Sequence, residues 1–278
     1  MFLRFNSFIS LVLTVCAGAA IVSAQETTEK KPESTPTPAP AAIATKDAAK
    51  SASPEQVVES SIVIYAFPAG RETLNQIRKT TIERGKTSFT KPDGSTENAT
   101  YRRWIVRAPT LEKEKIRLDQ DFPATRYSLV YNGEKTFGIF QDQVFVPRLD
   151  ASKGFENQII HGPEALLRYK ENESRLELVK RDKIMGVELY VIDLTDKQNR
   201  KTRFFVSAKS FRLMMLEYEE DGVKYVRKFY NYNYAQGTLV PFRTVLWAND
   251  KIAEETEVLT ITFGQKVDEE LFAAPSAG

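Results

Sequence analysis

Cysteine and histidine are almost absent from this sequence of 278 residues, which has one of each, Cys16 and His161. Cys16 lies in the signal peptide predicted below, so the exported chain would have no thiol and could form no disulfide. Without a thiol or a second imidazole, His161 lacks the usual partners of a transition-metal site, and no metal is predicted. Its place before Gly162-Pro163 favours a turn or helix-cap role.

Motifs for nucleotide binding or catalysis are missing as well. The sequence has neither the dinucleotide type of glycine-rich loop nor the nucleotide-binding lysine loop, so no cofactor is predicted. Adjacent acids occur in predicted turns and strand ends, where solvated carboxylates are usual: Glu219-Glu220-Asp221, Glu254-Glu255 and Asp268-Glu269-Glu270. We therefore predict that the protein is not an enzyme, with an unrecognised hydrolase as the least supported alternative.

Charge of one sign is also lacking, since 39 Lys and Arg residues stand against 37 Asp and Glu residues. Nucleic-acid binding depends on an excess of basic residues that neutralises the phosphate backbone. We therefore predict no nucleic-acid partner, and the net charge does not identify another partner.

The N-terminus has the three regions of a secretory signal peptide, predicted over residues 1–24: basic Arg4, the apolar run Ile9 to Val22, and small residues ending at Ala24. The apolar run is shorter than the about 20 residues that a membrane-spanning helix needs. We therefore expect a periplasmic or secreted protein. Lipoprotein anchoring through Cys16 is the less favoured alternative, because bulky Val15 precedes it.

Residues 25–53 are rich in Pro, Ala, Thr, Lys and Glu and contain no aromatic residue. Such a segment buries too little apolar surface to offset the entropy of ordering, so a disordered tether is predicted. The remaining residues, 54–278, have the length of one all-β domain.

Alternating apolar residues and turn signals predict two runs of strands in this domain. The first run is Ile77–Phe89, Thr100–Arg107, Lys115–Gln120, Arg126–Tyr131, Lys135–Phe140 and Val144–Arg148. The second run is Arg175–Lys180, Val187–Leu194, Lys201–Ser207, Phe211–Glu219, Val223–Tyr234, Leu239–Ala248 and Glu254–Phe263. Short links make neighbouring strands antiparallel.

Helices are predicted after Ser53-Pro54-Glu55-Gln56, around Glu72 to Gln76, and from Ala151 to Tyr169 with a break at Gly162-Pro163. A sheet of this width must curl, and its inner face must be filled. We predict a mainly β fold: a curled antiparallel β-sheet, or half-barrel, with a few helices packing on or capping its concave face.

The aromatic stretch Phe229 to Tyr234 decides how the inner face is interpreted. In an extended strand Tyr230, Tyr232 and Tyr234 share one face, and such alternation is typical of a half-buried strand rather than a dedicated site. Tyrosine and methionine also suit the wall of a site for an apolar chain. The wall residues inferred in this way are Ile105, Phe204, Met215, Tyr230, Tyr232, Val245 and Trp247. A core packed fully against the helices is the alternative.

Four motifs of the C-terminal third stand out: Gly186 to Leu194, Phe204-Phe205-Val206 with Phe211-Arg212-Leu213, Gly237 to Pro241, and Val267 to Pro275. They look like features of one family. These features are a pair of strands, a strand that starts at a glycine and soon reaches a proline, and a closing tail with acidic residues, Phe and Pro. With the order of the segments, they resemble the outer-membrane lipoprotein carrier and sorting family, the LolA-like half-barrels.

Members of that family hold lipid or lipoprotein acyl chains inside a curled sheet closed by helices, without cofactor or catalysis. The resemblance therefore implies an exported protein that binds lipid or lipoprotein acyl chains, with only peripheral membrane contact. The same half-barrel also occurs in sensors of envelope stress. An envelope sensor or interaction module that binds a partner protein is therefore the alternative.

Overall fold

The computed structural model describes residues 52–275, so the predicted signal peptide and nearly all of the predicted tether lie outside the described residues. Within this range the α-helices are α1 Pro54–Tyr65, α2 Arg71–Ile77, α3 Leu149–Ile160 and α4 Pro163–Leu167. The strands are β1 Thr80–Thr90, β2 Thr96–Val106, β3 Lys115–Asp121, β4 Arg126–Tyr131, β5 Thr136–Phe140, β6 Gln143–Phe145, β7 Arg175–Ile184, β8 Val187–Thr195, β9 Lys201–Ser207, β10 Leu213–Glu220, β11 Val223–Ala235, β12 Thr238–Ala248 and β13 Lys251–Phe263. None of the helices within residues 52–275 is long and apolar enough to cross a bilayer.

The thirteen described strands form one antiparallel sheet, in the order β6-β5-β4-β3-β2-β1-β13-β12-β11-β10-β9-β8-β7. Strands β1 to β6 form one meander and β7 to β13 another. The two meanders are joined by β1 and β13, where Thr81 lies opposite Phe263 and Phe89 lies opposite Glu254. The sheet is curled but not closed into a barrel, which confirms the predicted half-barrel. We call the face that carries the four helices concave and the other face convex.

Helix α1 begins at the residues that predicted it. The Ser53 hydroxyl accepts a 3.2 Å hydrogen bond from the Gln56 amide, and the Gln56 side chain accepts a 2.9 Å bond from the Ser53 amide. This capping box satisfies backbone donors that the first turn leaves free, and Pro54 occupies a position where no amide is needed. The apolar residues predicted for this helix are the ones it buries: Val57, Val58, Ile62 and Tyr65.

The part of the concave face formed by β8 to β10 is packed solid against α1 and α4. Phe204 of β9 lies between Ile192 of β8 and Leu216 of β10, and all three are fully buried. They belong to one apolar cluster with Ile62 of α1 and Leu166 of α4. Each such side chain contributes about 1.5–3 kcal/mol on burial, so this cluster is the main core of the fold.

The other half of the sheet is covered on both faces. On the concave face, Phe155 of α3 packs with side chains of β2, β3 and β4, namely Tyr101, Ile116, Leu118 and Leu129. On the convex face, the C-terminal residues Val267, Leu271 and Phe272 pack on Trp104, Val130, Phe137 and Ile139. The C-terminal motif therefore closes the back of the sheet rather than contributing to the concave side.

The predicted elements agree with the structure in kind and order. Strands β4 and β9 have the predicted bounds, the helical break at Gly162-Pro163 lies between α3 and α4, and α2 spans the predicted segment Glu72 to Gln76. The largest differences are at strand ends: β7 continues to Ile184 and β2 begins at Thr96. Both extensions lie where polar residues conceal the alternation.

The packed half of the concave face predicts a large cost for removing one of its side chains. Phe204→Ala should lower the free energy of unfolding by about 3–5 kcal/mol, because the ring has no solvent-exposed surface to begin with. The measurement is chemical denaturation followed by circular dichroism. Phe67→Ala is the matched control, since the Phe67 ring is 65% exposed and its loss should change stability by about 0.5 kcal/mol or less. Equal costs for the two variants would show that this half is not solidly packed.

Candidate ligand-binding groove

The wall residues predicted from alternation lie on both faces of the sheet. Ile105, Phe204 and Tyr232 are on the concave face. Tyr232 packs on α1, where its hydroxyl lies 3.0 Å from the hydroxyl of Tyr65. Phe204 belongs to the solid core described above, so among these residues only Ile105 borders a cavity.

The prediction of one shared face is wrong for Met215, Tyr230, Val245 and Trp247, which lie on the convex face. In β10 a register shift after Leu213 places Met215 opposite Phe205, whose neighbours are convex residues. The same convex row continues through Lys228 to Val245, and Trp247 is two residues further along β12.

Tyr230 is separated from Tyr232 by a local reversal of the backbone. Asn231 has a φ of +53°, in the left-handed region, so the alternation of side chains is interrupted there. The Tyr230 ring consequently does not face α1. The guanidinium carbon of Arg243 lies over this ring, 5.0 Å from the ring centroid. Tyr234 is again on the α1 side and donates a 2.9 Å hydrogen bond to the Ile64 carbonyl.

A groove of about 450 Å³ lies on the concave face beneath α3. We call it the α3 groove. Both meanders line it: β1 to β4 on one side, and β10 to β13 on the other. Its apolar lining consists of Phe89, Leu118, Phe122, Tyr127, Leu129, Phe155, Tyr218, Val223, Tyr225 and Leu246. The volume lies in the range of about 300–1,000 Å³ that is typical of small-molecule sites.

Aromatic rings form two stacked rows in the α3 groove. On one side Phe122 stacks with Phe89 and with Tyr127, each at a centroid distance of 5.8 Å. On the other side Tyr218 and Tyr225 stack at 5.0 Å. Burial raises the pKa of Tyr218 to about 12, so its hydroxyl is neutral near pH 7. These rings give the groove two flat apolar walls.

Helix α3 is fixed over the groove by different forces at its two sides. Phe155 is buried in the apolar cluster on the β2–β4 side. On the β10–β11 side the contacts are polar: Lys153 Nζ is 2.7 Å from an Asp221 carboxylate oxygen, and Asn157 donates to Glu220. The Lys153–Asp221 pair is largely exposed to solvent and is therefore worth little.

His161 is the C-terminal cap residue of α3, as its position predicted, and it helps to order the groove. Its ring stacks on Tyr218 at a centroid distance of 4.0 Å, and its Nδ1 shares a 2.7 Å hydrogen bond with the Thr202 hydroxyl. Burial lowers the pKa of His161 to about 4, so the folded state holds the neutral ring. Among residues 52–275, no cluster of three His, Cys, Asp or Glu side chains is placed to hold a metal ion.

An exposed apolar rim continues the α3 groove at the free edge of the sheet. We define the rim as the exposed side chains of β5, β6 and the start of α3, namely Phe140, Val144, Phe145, Val146 and Leu149. It borders a surface depression of about 440 Å³ that shares Tyr127, Leu129 and Ala151 with the groove. Val146 is 93% exposed and Leu149 69% exposed. Exposed aliphatic side chains that cluster in this way usually mark a surface for interaction.

Two solved structures are similar to this chain over most of its length. A DUF1329 family protein from Desulfovibrio piger has a TM-score of 0.55 and 11% identity, covering 80% of this chain and 98% of that chain. A LolA superfamily protein from Nitrosomonas europaea has a TM-score of 0.55 and 13% identity, with the same coverage of both chains. The fold is LolA-like. No protein-family model matches the sequence, and no curated protein matches it either.

None of the seven wall residues predicted from the sequence lines the α3 groove of this LolA-like half-barrel. Tyr218 and Tyr225 flank the predicted hairpin turn Asp221-Gly222 at equal distances and lie directly opposite each other. The turn therefore contained enough information to pair them on one face. Phe122 and Tyr127 stack within the β3–β4 hairpin, but Phe89 carries no such local signal, because its stacking on Phe122 depends on the meeting of β1 with that hairpin.

The neutral, buried ring of His161 predicts a specific pH dependence of stability. Its folded pKa of about 4 lies below the ordinary value of about 6.5, so the unfolded chain binds the proton more tightly. Stability is therefore full above pH 6.5 and declines as the pH falls toward 4, by about 3 kcal/mol in total. The measurement is the difference in free energy of unfolding between wild type and His161→Gln, from denaturant titrations between pH 4 and 8. A difference that is constant across this range would contradict the assignment.

Proposed function

We propose that this protein is an exported, non-catalytic carrier that holds an apolar chain, a lipid or the acyl chain of a lipoprotein, in the α3 groove. The observation that carries the proposal is the groove itself: an aromatic-lined space of about 450 Å³ on the concave face of a LolA-like half-barrel. The predicted signal peptide supports a periplasmic location.

Apolar burial alone can supply the affinity. Each buried methylene contributes about 0.8 kcal/mol, so a chain of about ten methylenes gives micromolar binding without a specific polar contact. Flat aromatic walls accept such a chain without requiring one shape. Helix α3 acts as the lid: Phe155 stays anchored, while the exposed Lys153–Asp221 pair and the partly buried Asn157–Glu220 hydrogen bond open and close.

The apolar rim supplies the surface through which the groove meets its source of lipid. Because the depression beside the rim shares Tyr127, Leu129 and Ala151 with the groove, these apolar residues give a chain a path from a membrane surface into the groove. This is a peripheral contact, in which Val146 and Leu149 enter the interfacial region of the bilayer.

The second candidate function is an envelope interaction module that binds a partner protein through the rim. The specific observation in its favour is that the rim includes β6, a free strand edge with apolar side chains. Such an edge can pair with a strand of another chain.

Filling the α3 groove should prevent lipid from co-purifying with the protein. Val223 lines the groove, whereas Val226 of the same strand is on the convex face opposite Trp247, and both are half-buried. We expect Val223→Trp to lower the lipid content about tenfold, the effect of losing about two methylene contacts, and Val226→Trp to leave it unchanged. The measurement is organic extraction and mass spectrometry of protein purified from a bacterial periplasm. Wild-type protein that carries no lipid would count against the carrier and favour the interaction module.

A charge placed on the rim should slow lipid exchange with membranes. Val146→Asp is expected to reduce the rate of uptake of a fluorescent phospholipid from phosphatidylcholine vesicles about tenfold, because one aliphatic anchor is lost. Met185→Asp is the matched control, since Met185 is also 93% exposed but lies in the β7–β8 turn at the other edge of the sheet. Wild-type rates in Val146→Asp would exclude the rim as the membrane contact.

A further inference from the structure

A second cavity, of about 190 Å³, adjoins the α3 groove and differs from it in chemistry. We call it the inner cavity. It lies between the centre of the sheet and the link from α3 to α4, and Gln158 lines both spaces. Arg227 lines the inner cavity and donates a 3.2 Å hydrogen bond to Glu254, which lines the groove. Gln158 and the Arg227–Glu254 pair therefore form the partition between the two spaces.

The inner cavity is lined by more arginine than carboxylate. Its charged lining consists of Arg78, Arg103, Arg107 and Arg227, with Glu83, Glu114 and Glu164. The carboxylates are mostly engaged: Glu164 binds both Arg78 and Arg107, and Glu114 binds Arg168, which lies outside the lining. With these partners and with Glu254, which binds Arg227, five arginines stand against four carboxylates, so the cavity favours an anion over a cation.

The surroundings shift the pKa values of Glu114 and Glu164 in opposite directions. Burial raises the pKa of Glu114 to about 7, so this group is only partly charged near neutral pH. Burial would also raise the pKa of Glu164, but Arg107 and Arg78 outweigh it and lower the value to about 2. The inner cavity consequently has a larger positive excess near neutral pH than the residue count indicates.

Arg103 is the arginine of the inner cavity with the weakest protein partners. Its nearest carboxylate oxygen, on Glu83, is 3.5 Å away, and Glu83 already accepts a 2.7 Å hydrogen bond from the Tyr101 hydroxyl. No residue of the described range 52–275 accepts a hydrogen bond from the buried Arg103 Nε. Buried donors without an acceptor are costly, so this guanidinium is prepared for an acceptor that is not part of the fold.

We propose that the inner cavity binds the anionic end, a carboxylate or a phosphate, of an amphiphile whose apolar chain lies in the α3 groove, with Arg103 as the principal donor. A guanidinium presents its donors in a planar fork that matches either group in a bidentate contact. The inference rests on the proposed carrier function and narrows it, because it makes the ligand an anionic lipid. Gln158 and the Arg227–Glu254 pair would then contact the link between head and chain.

Four probes with the same chain test the choice of head group. They are dodecyl phosphate, dodecanoate, dodecan-1-ol and dodecyltrimethylammonium, added to delipidated mature protein at neutral pH. Their dissociation constants are measured by displacement of the neutral fluorophore N-phenyl-1-naphthylamine. We expect at least one anionic probe to bind about 10- to 100-fold more tightly than dodecan-1-ol, the range expected for charge-assisted hydrogen bonds. The preferred anion distinguishes a phospholipid head group from a fatty-acid carboxylate.

Variants of Arg103 test whether it is the donor. Arg103→Gln should abolish most of the preference for the anionic probe while leaving the affinity for dodecan-1-ol unchanged, and Arg103→Lys should restore part of the preference. Arg102→Gln is the matched control, because Arg102 is the next residue of β2 and lies on the convex face over Trp104. If Arg103→Gln does not fold, the comparison of the four probes on wild type still decides the proposal.

The outcomes separate this inference from the carrier function. Equal affinities for the anionic probes and dodecan-1-ol would overturn the inference and leave the carrier standing. Displacement of dodecyl phosphate by inorganic phosphate at comparable concentration would also overturn it, since the site would then hold a free anion. If none of the four probes displaces the fluorophore, both the carrier and the inference fail.

Discussion

The hydrogen bonds between β1 and β13 are the constraint on which the rest of the structure depends. Each meander could form from local hairpins, but only this pairing makes one curled sheet of the two. The α3 groove needs both, since Phe89 and Leu118 come from one meander and Tyr218 and Leu246 from the other. The same pairing sets Thr81 beside Phe263 in the inner cavity.

Gly85 shows how closely this junction is packed. It lies at the register shift of β1 against β13, and a Cβ there would clash with the Glu257 carbonyl and the Tyr101 ring. Because the position has no side chain, Tyr101 can cross over the strand and donate to Glu83. The bond to Tyr101 occupies Glu83, which in turn leaves Arg103 with a distant partner. A backbone requirement at the centre of the sheet thus determines the chemistry of the inner cavity.

The four helices are anchored on the concave face to different extents. Helix α1 contributes the fully buried side chains Val57, Val58 and Ile62 to the main core, so moving it would expose the core to water. Helix α3 contributes Phe155 to a smaller apolar cluster, its cap residue His161 stacks on Tyr218, and its Lys153 contact is exposed. Motion of the first part of α3, as the proposed lid requires, would leave the α1 side chains of the main core buried.

Local signals in the sequence were sufficient for most of the fold. The capping box at Ser53, the turns and the two runs of alternating residues predicted the elements and their order, because each depends on residues close in the chain. The pairing of β1 with β13 has no such signal. Faces were assigned wrongly where the backbone departs from regular alternation, at the register shift after Leu213 and at Asn231. Irregularities of this kind depend on tertiary packing. Of the seven predicted wall residues, three therefore lie on the concave face, and none lines the α3 groove.

The inner cavity also shows why composition gave no indication of the anionic ligand that we propose. Over the whole chain basic and acidic residues nearly balance, and charged side chains pair across strands, as Arg243 does with Glu255. The imbalance is confined to a few arginines that tertiary structure brings together at the centre of the sheet. The aromatic groove and the basic cavity lie on either side of one partition. Together they provide the two surfaces that an amphiphile with an anionic head requires. Either space alone would be compatible with many ligands, and it is their adjacency that restricts the class.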